Sequence, residues 1–119
     1  MREIKSPSAR WPGVVVMADY LTTPQAAAFT AACTAAEAKL KDGDTLTAGR
    51  IGYDLALRQA FLPAVCEIVT EWRLDNFPAA RITPETFPAS PHASAAKLLS
   101  AVVAEISAML TEADEIPKG

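Results

Sequence analysis

Six apolar residues at helical spacing constrain this chain more than any other feature. Ala95, Leu99, Val102, Ile106, Met109 and Ala113 follow one another at steps of three and four, flanked by Leu98, Val103 and Leu110. That spacing lines them along one side of an α-helix. It predicts a helix capped at Ser90 or Ser94 and running to about Ala113, and the rest of the chain must cover its stripe. The stripe is wider than one core-facing seam requires. Leu98, Val103, Met109 and Leu110 are therefore the candidate partner-binding residues, because a methionine-bearing apolar face suits helices of varied shape.

Two further helical stretches precede it. Thr23-Pro24 reads as a cap followed by proline at the first helical position, and Thr22 with Gln25 reads equally as a capping box. From there a helix runs to about Lys41, with Phe29, Cys33, Ala36 and Leu40 on one face. Alanine, 24 residues of the 119, fills most of its other positions and favours the helix intrinsically. Asp42-Gly43-Asp44 stops it. The next helical region begins between Thr47 and Tyr53. Pro63 should kink or restart it, since an interior proline costs about 3 kcal/mol. After Pro63 the series Leu62, Val65, Cys66, Val69, Trp72 continues the helical period to Arg73 and Leu74. Trp72 is read as a core anchor on that helix.

Residues 75–91 break the pattern. Four of the nine prolines, Pro78, Pro84, Pro88 and Pro91, fall in this stretch, and each pushes its predecessor toward extended geometry. Phe77, Ile82 and Phe87 are too apolar for a free linker, so the segment should be ordered and extended, with Phe77 and Phe87 as structural anchors. The expected fold is mainly α: a small bundle of three to four helices with this proline-rich segment packed on it. Residues 1–13 read as an irregular arm, 14–115 as a single helical domain and 116–119 as a flexible tail. Val14-Val15-Val16-Met17 is β-branched and reads as a short strand or extended segment whose pairing partner the sequence does not identify.

Composition excludes several functions. Eleven basic residues against fourteen acidic give a net charge of −3, which argues against duplex nucleic acid as a main partner. No unbroken run approaches the ~18 apolar residues of a membrane span, and no secretory signal is visible. Cys33 and Cys66 lie 33 positions apart, without a CxxC pair, and read as reduced core residues.

Chemistry-bearing constellations are missing. The single histidine, His92, has Ser90 and Ser94 as neighbours but no nucleophile elbow, and reads as an exposed first-turn residue. Asp42-Gly43-Asp44 lacks the later ligands of a calcium loop. Gly49-Arg50-Ile51-Gly52 lacks the Lys-Ser/Thr of a phosphate loop. Glu67 and Glu71, one turn apart, read as a solvated flank. No catalytic, metal or cofactor-binding residue is assigned, and no enzyme activity is expected.

Several short motifs occur in a telling order. Arg10-Trp11-Pro12-Gly13-Val14-Val15-Val16 is followed by Leu21-Thr22, Leu62-Pro63-Ala64-Val65 and Glu71-Trp72-Arg73-Leu74-Asp75-Asn76-Phe77-Pro78. Then come Phe87-Pro88-Ala89-Ser90-Pro91, Leu98-Leu99, Glu105-Ile106 and Glu115-Ile116-Pro117. This order resembles the small tail assembly chaperones of long-tailed bacteriophages and prophages. The one departure is the ending, where Lys118-Gly119 follows Pro117. The resemblance implies a small, mainly helical, non-catalytic protein. Such a protein binds the tape measure protein, keeps it soluble during tail assembly, stays in the host cytoplasm and is absent from the finished virion. It also implies a longer form made by ribosomal frameshifting near the stop codon. The competing reading is a structural phage protein, a connector or tail component, retained in the particle. Self-association into a spiral or ring is a further expectation. Residues 1–10 carry Arg2, Lys5 and Arg10 against Glu3, while residues 105–119 carry Glu105, Glu112, Asp114 and Glu115 against Lys118.

Overall fold

The computed structural model describes residues 1–41, 43–78 and 82–115, with the side chains of 112–115 excepted. Strand β1 spans Arg2–Lys5 and β2 spans Gly13–Met17. Helices α1, Thr23–Glu37, α2, Ala48–Tyr53, and α3, Leu55–Ile68, follow. Strand β3, Val69–Leu74, and the long helix α4, His92–Glu115, complete the order. The three strands form one antiparallel sheet in the order β1-β2-β3.

The architecture is thus α/β, and the mainly α expectation is wrong. Two elements make the difference. Residues 1–13 are not an irregular arm throughout, because Arg2–Lys5 pairs with β2 in the register Ile4↔Val15. One apolar side chain among charged ones gave no strand signal, yet a charged edge strand is the usual defence against edge-to-edge aggregation. Residues 69–74 are a strand rather than the end of a helix. Val15 faces Trp72 and Gly13 faces Leu74 across the β2–β3 ladder. Thr70 is the extra residue of a bulge between Val16 and Met17, and its hydroxyl donates to the Val16 carbonyl at 2.9 Å. The apolar series through Val69 and Trp72 fits a helix by period alone. The pairing offered by β2 decides against it. Val14–Met17 is accordingly the central strand, and its missing partners are β1 and β3.

Gly13 sits where β2 and β3 approach closely. Its φ is +137°, and a Cβ there would run into the Arg73 carbonyl.

The helices follow local rules more closely. Thr22 is the cap of α1 and forms both bonds of a capping box with Gln25, which settles the one-residue ambiguity. The helix ends at Glu37, before Lys39 and Lys41. Thr47 caps α2 by accepting the Arg50 N–H at 3.1 Å. The break in the second helical region falls at Asp54 and not at Pro63. The Asp54 carboxylate accepts the N–H groups of Ala56 at 2.9 Å and Leu57 at 3.2 Å, starting α3. Pro63 stays inside α3 on its exposed side, and burial of Phe61, Leu62 and Val65 offsets the hydrogen bond it forfeits.

The core is continuous. Phe29 of α1 meets Phe61 of α3 edge to face at 5.3 Å. Leu98, Leu99, Val102 and Ile106 of α4 are fully buried, together with Val15 and Met17 of β2. Arg2 of β1 donates to Glu105 of α4 at 2.6 Å, tying sheet to helix. Asp42 and the tail 116–119 lie outside the described residues.

Candidate binding face

Three of the motif-bearing segments meet at one end of the molecule. Pro12 accepts the Asp75 N–H at 2.8 Å just beyond the β2–β3 ladder. That brings Trp11 to Phe77, edge to face, with ring centroids 4.9 Å apart. Trp72 stacks on Phe77 at 6.4 Å and meets Phe87 at 6.0 Å, while Phe77 and Phe87 lie 6.4 Å apart. Four rings from positions 11, 72, 77 and 87 thus form one cluster, in geometries that favour aromatic pairs. Trp11 and Phe87 are buried, whereas Trp72 and Phe77 are half-buried. Beside the cluster lies a shallow cavity of about 420 Å³, lined by Arg10, Trp11, Asn76, Pro78, Ser90 and Pro91.

Of the anchors read from sequence, Phe87 is core, and Phe77 and Trp72 form its rim. Trp72 reaches the cluster from a strand and not from a helix. Trp11 was missed as an anchor, because an adjacent Pro-Gly made its segment look like a loop.

The candidate partner residues on α4 lie inside the protein. Leu98, Val103 and Met109 are buried, and Leu110 is half-buried against the core. The extra apolar width of α4 is consumed by neighbours on two sides, with α2 packed along it and β1 alongside. Those four residues therefore present no free apolar face in this fold. Helix α4 over His92–Thr111 also has a mean hydropathy of 1.5, long and apolar enough by composition to cross a membrane. Counting only unbroken apolar runs overlooked this, because alanine and serine interrupt the run without lowering its mean much.

The start of α4 departs from expectation. The Ala95 N–H bonds to the Pro91 carbonyl at 3.0 Å, so Pro91 occupies the cap position. Proline has no side-chain acceptor, and neither Ser90 nor Ser94 caps. The N–H groups of His92, Ala93 and Ser94 find no acceptor among the described residues.

Next to this turn lies Arg58 of α3, only 2% exposed. Its Nε and Nη2 donate to the Gly52 carbonyl at 3.1 and 2.7 Å, closing the C-terminal end of α2. Its Nη2 also lies 3.3 Å from His92 Nδ1, and Tyr53 meets the His92 ring edge to face. Nη1 is buried with no partner. No carboxylate lies within 4.0 Å of the guanidinium among the described residues. Burial lowers its pKa from the ordinary value, yet an arginine keeps its charge. Sequence did hold a signal for it, because Arg58, Leu62 and Val65 share one helical face at steps of four and three.

Arg73 donates to Glu71 at 3.0 Å, and this hydrogen bond holds the Glu71 carboxyl below its usual range. Glu67 stands exposed on α3 and Glu71 on β3, so the two do not share a helix face. Cys33 and Cys66 are free and half-buried. Burial pushes the Cys66 thiol up to about 11, with the charge of Glu85 adding to the effect. Cys33 is raised by burial first and by Glu37 second. A cleft of about 470 Å³ between the end of α1 and α2 mixes Lys39, Lys41 and Arg50 with Asp44 and Asp54. Among the described residues no group of three His, Cys, Asp or Glu is placed to hold a metal. Compared with protein-family models, with curated proteins and with solved structures, the chain matches none.

Proposed function

We propose that this chain is a non-catalytic binding protein of phage tail assembly, a chaperone that keeps the long helical tape measure protein soluble. One observation carries the reading. The segments Arg10–Val16, Glu71–Pro78 and Phe87–Pro91, whose order resembles tail assembly chaperones, converge on the four-ring cluster and its cavity. Half-buried aromatic rings beside a shallow cavity of mixed polarity are suited to the anchors of an amphipathic helix, with the rings taking its apolar side chains and Arg10 its polar edge.

The contact face in this reading is the rim of Trp72 and Phe77 with Arg10, in place of the α4 residues. Self-association into a spiral or ring keeps less electrostatic support than the charge count implied, because Arg2 and Glu105 already pair within one chain.

Co-expression with the tape measure protein of the same tail gene cluster tests the proposal. The long protein should stay soluble with this chain and precipitate without it. Arg10→Glu and Trp72→Ala, shown to be folded by circular dichroism, should lose that rescue. A long protein that precipitates regardless, or rescue indifferent to both substitutions, rejects the function or the face respectively. Finding the chain in purified particles by mass spectrometry would favour a retained structural component instead.

A further inference from the structure

A buried guanidinium without a counter-charge is costly, because neutral acceptors replace its lost hydration only in part. A cation beside a helix N-terminus adds to the problem, since that end carries the positive pole of the helix dipole. The start of α4 combines both. Three unpartnered N–H groups, His92 to Ser94, open a 24-residue helix. The Arg58 guanidinium, 2% exposed, reaches the same turn through Nη2, 3.3 Å from His92 Nδ1, while its Nη1 is buried without a partner. The one acidic residue next to α3's start, Asp54, spends its carboxylate on Ala56 and Leu57. The 420 Å³ cavity with Arg10 borders the same turn at Ser90 and Pro91.

We propose that the N-terminus of α4 is an oxyanion-binding site, in which the amides of His92, Ala93 and Ser94 and the guanidinium of Arg58 hold a carboxylate or phosphate group. His92 keeps the place in the unliganded protein. Its Nδ1 offers one lone pair to Nη2 at 3.3 Å, at the long end for a hydrogen bond. The histidine is exposed, so it can swing out and give up that edge of the guanidinium to an anion. The entering oxygens would then meet charge-assisted donors from Arg58 and the helix pole together. Arg10, exposed at the cavity, attracts the anion without holding it.

Titration of the full chain with inorganic phosphate and, separately, acetate tests this at constant ionic strength, followed by amide shifts in NMR spectra. The amides of His92, Ala93 and Ser94 should move together and saturate. Saturation by phosphate at lower concentration than acetate identifies a phosphate site, and comparable saturation identifies a carboxylate site. Arg58→Met should weaken binding about tenfold or more, as expected for losing a charged donor. Because Arg58→Met could fail to fold, Ser90→Asp serves as a second variant. Ser90 is exposed, and a carboxylate there competes from within the chain, so the response of the three amides should disappear. Linear, unsaturated shifts shared by amides across the molecule would overturn the proposal. So would a Ser90→Asp protein that responds as the wild type does.

Discussion

Helices α1 and α4 begin in opposite ways. At α1, Thr22 accepts the Gln25 N–H at 3.2 Å, and the Gln25 side chain accepts the Thr22 N–H at 3.0 Å. Pro24, early in the first turn, removes a donor that would otherwise need an acceptor. Every piece lies within four consecutive residues. At α4 the cap position is Pro91, the flanking serines make no cap, and three donors stay open. What stands near them comes from far away in sequence, Arg58 on α3 and Gly52 at the end of α2. The first helix start is a property of a tetrapeptide, and the second is a property of the fold. Short polar residues before a helix are thus a capping signal only when the backbone puts one of them at the cap.

The sharpest way to break this contrast is at Gly52. A Cβ there would collide with the Ser100 hydroxyl and the Ala96 carbonyl of α4, both close-packed against α2. Gly52→Ala should therefore cost about 3 kcal/mol, as overpacking of a filled interior does. It should also disturb the Arg58 contacts at the α4 start. Urea denaturation measures it, and a loss below about 1 kcal/mol would mean that α2 and α4 are not locked together. Thr22→Ala should cost about 1 kcal/mol, the usual value of a lost cap, and should act on α1 alone. Amide exchange confined to the first turn of α1 would confirm the local character of that end, and exchange spreading to α4 would contradict it.

A third effect is absent at neutral pH. The Cys66 thiol on α3 is pushed up to about 11 from an ordinary value of 9.0. The folded state therefore holds this proton more tightly than the unfolded state. The resulting stability is fully present below about pH 9 and is lost as pH rises from there toward 11. Cys66→Ala should flatten that alkaline decline in thermal melts, and an unchanged slope would place its cause elsewhere. The smallest effect is expected at the false caps. Ser90→Ala and Ser94→Ala should each change stability by less than about 0.5 kcal/mol, since neither hydroxyl caps α4. A loss near 1 kcal/mol in either would show that α4 is capped in solution after all.

The candidate face was legible only in pieces. Phe77 and Phe87 stood out because aromatic side chains between prolines need a core to pack on. Trp72 stood out too, but for the wrong reason, since it continued a helical series that ends at Ile68. Trp11 looked like part of an arm, and nothing local to positions 11 and 77 says that their rings meet. Leu98, Val103 and Met109 erred the other way. They looked surplus on an isolated helix and became core once α2 and β1 packed beside it.

The sequence by itself determined that α1 and α4 are helices, which of their faces are apolar and where α1 is capped. Those properties depend on hydrogen bonds three to four residues long and on a period that a single segment expresses alone. Only the tertiary structure decided the sheet, the four-ring cluster and the surroundings of Arg58. Strand β3 takes its bonds from β2, more than fifty residues earlier, and a series at steps of three and four satisfies a helix equally well until that partner is present. Burial of a guanidinium is likewise a matter of what arrives around it, which no window of the chain contains.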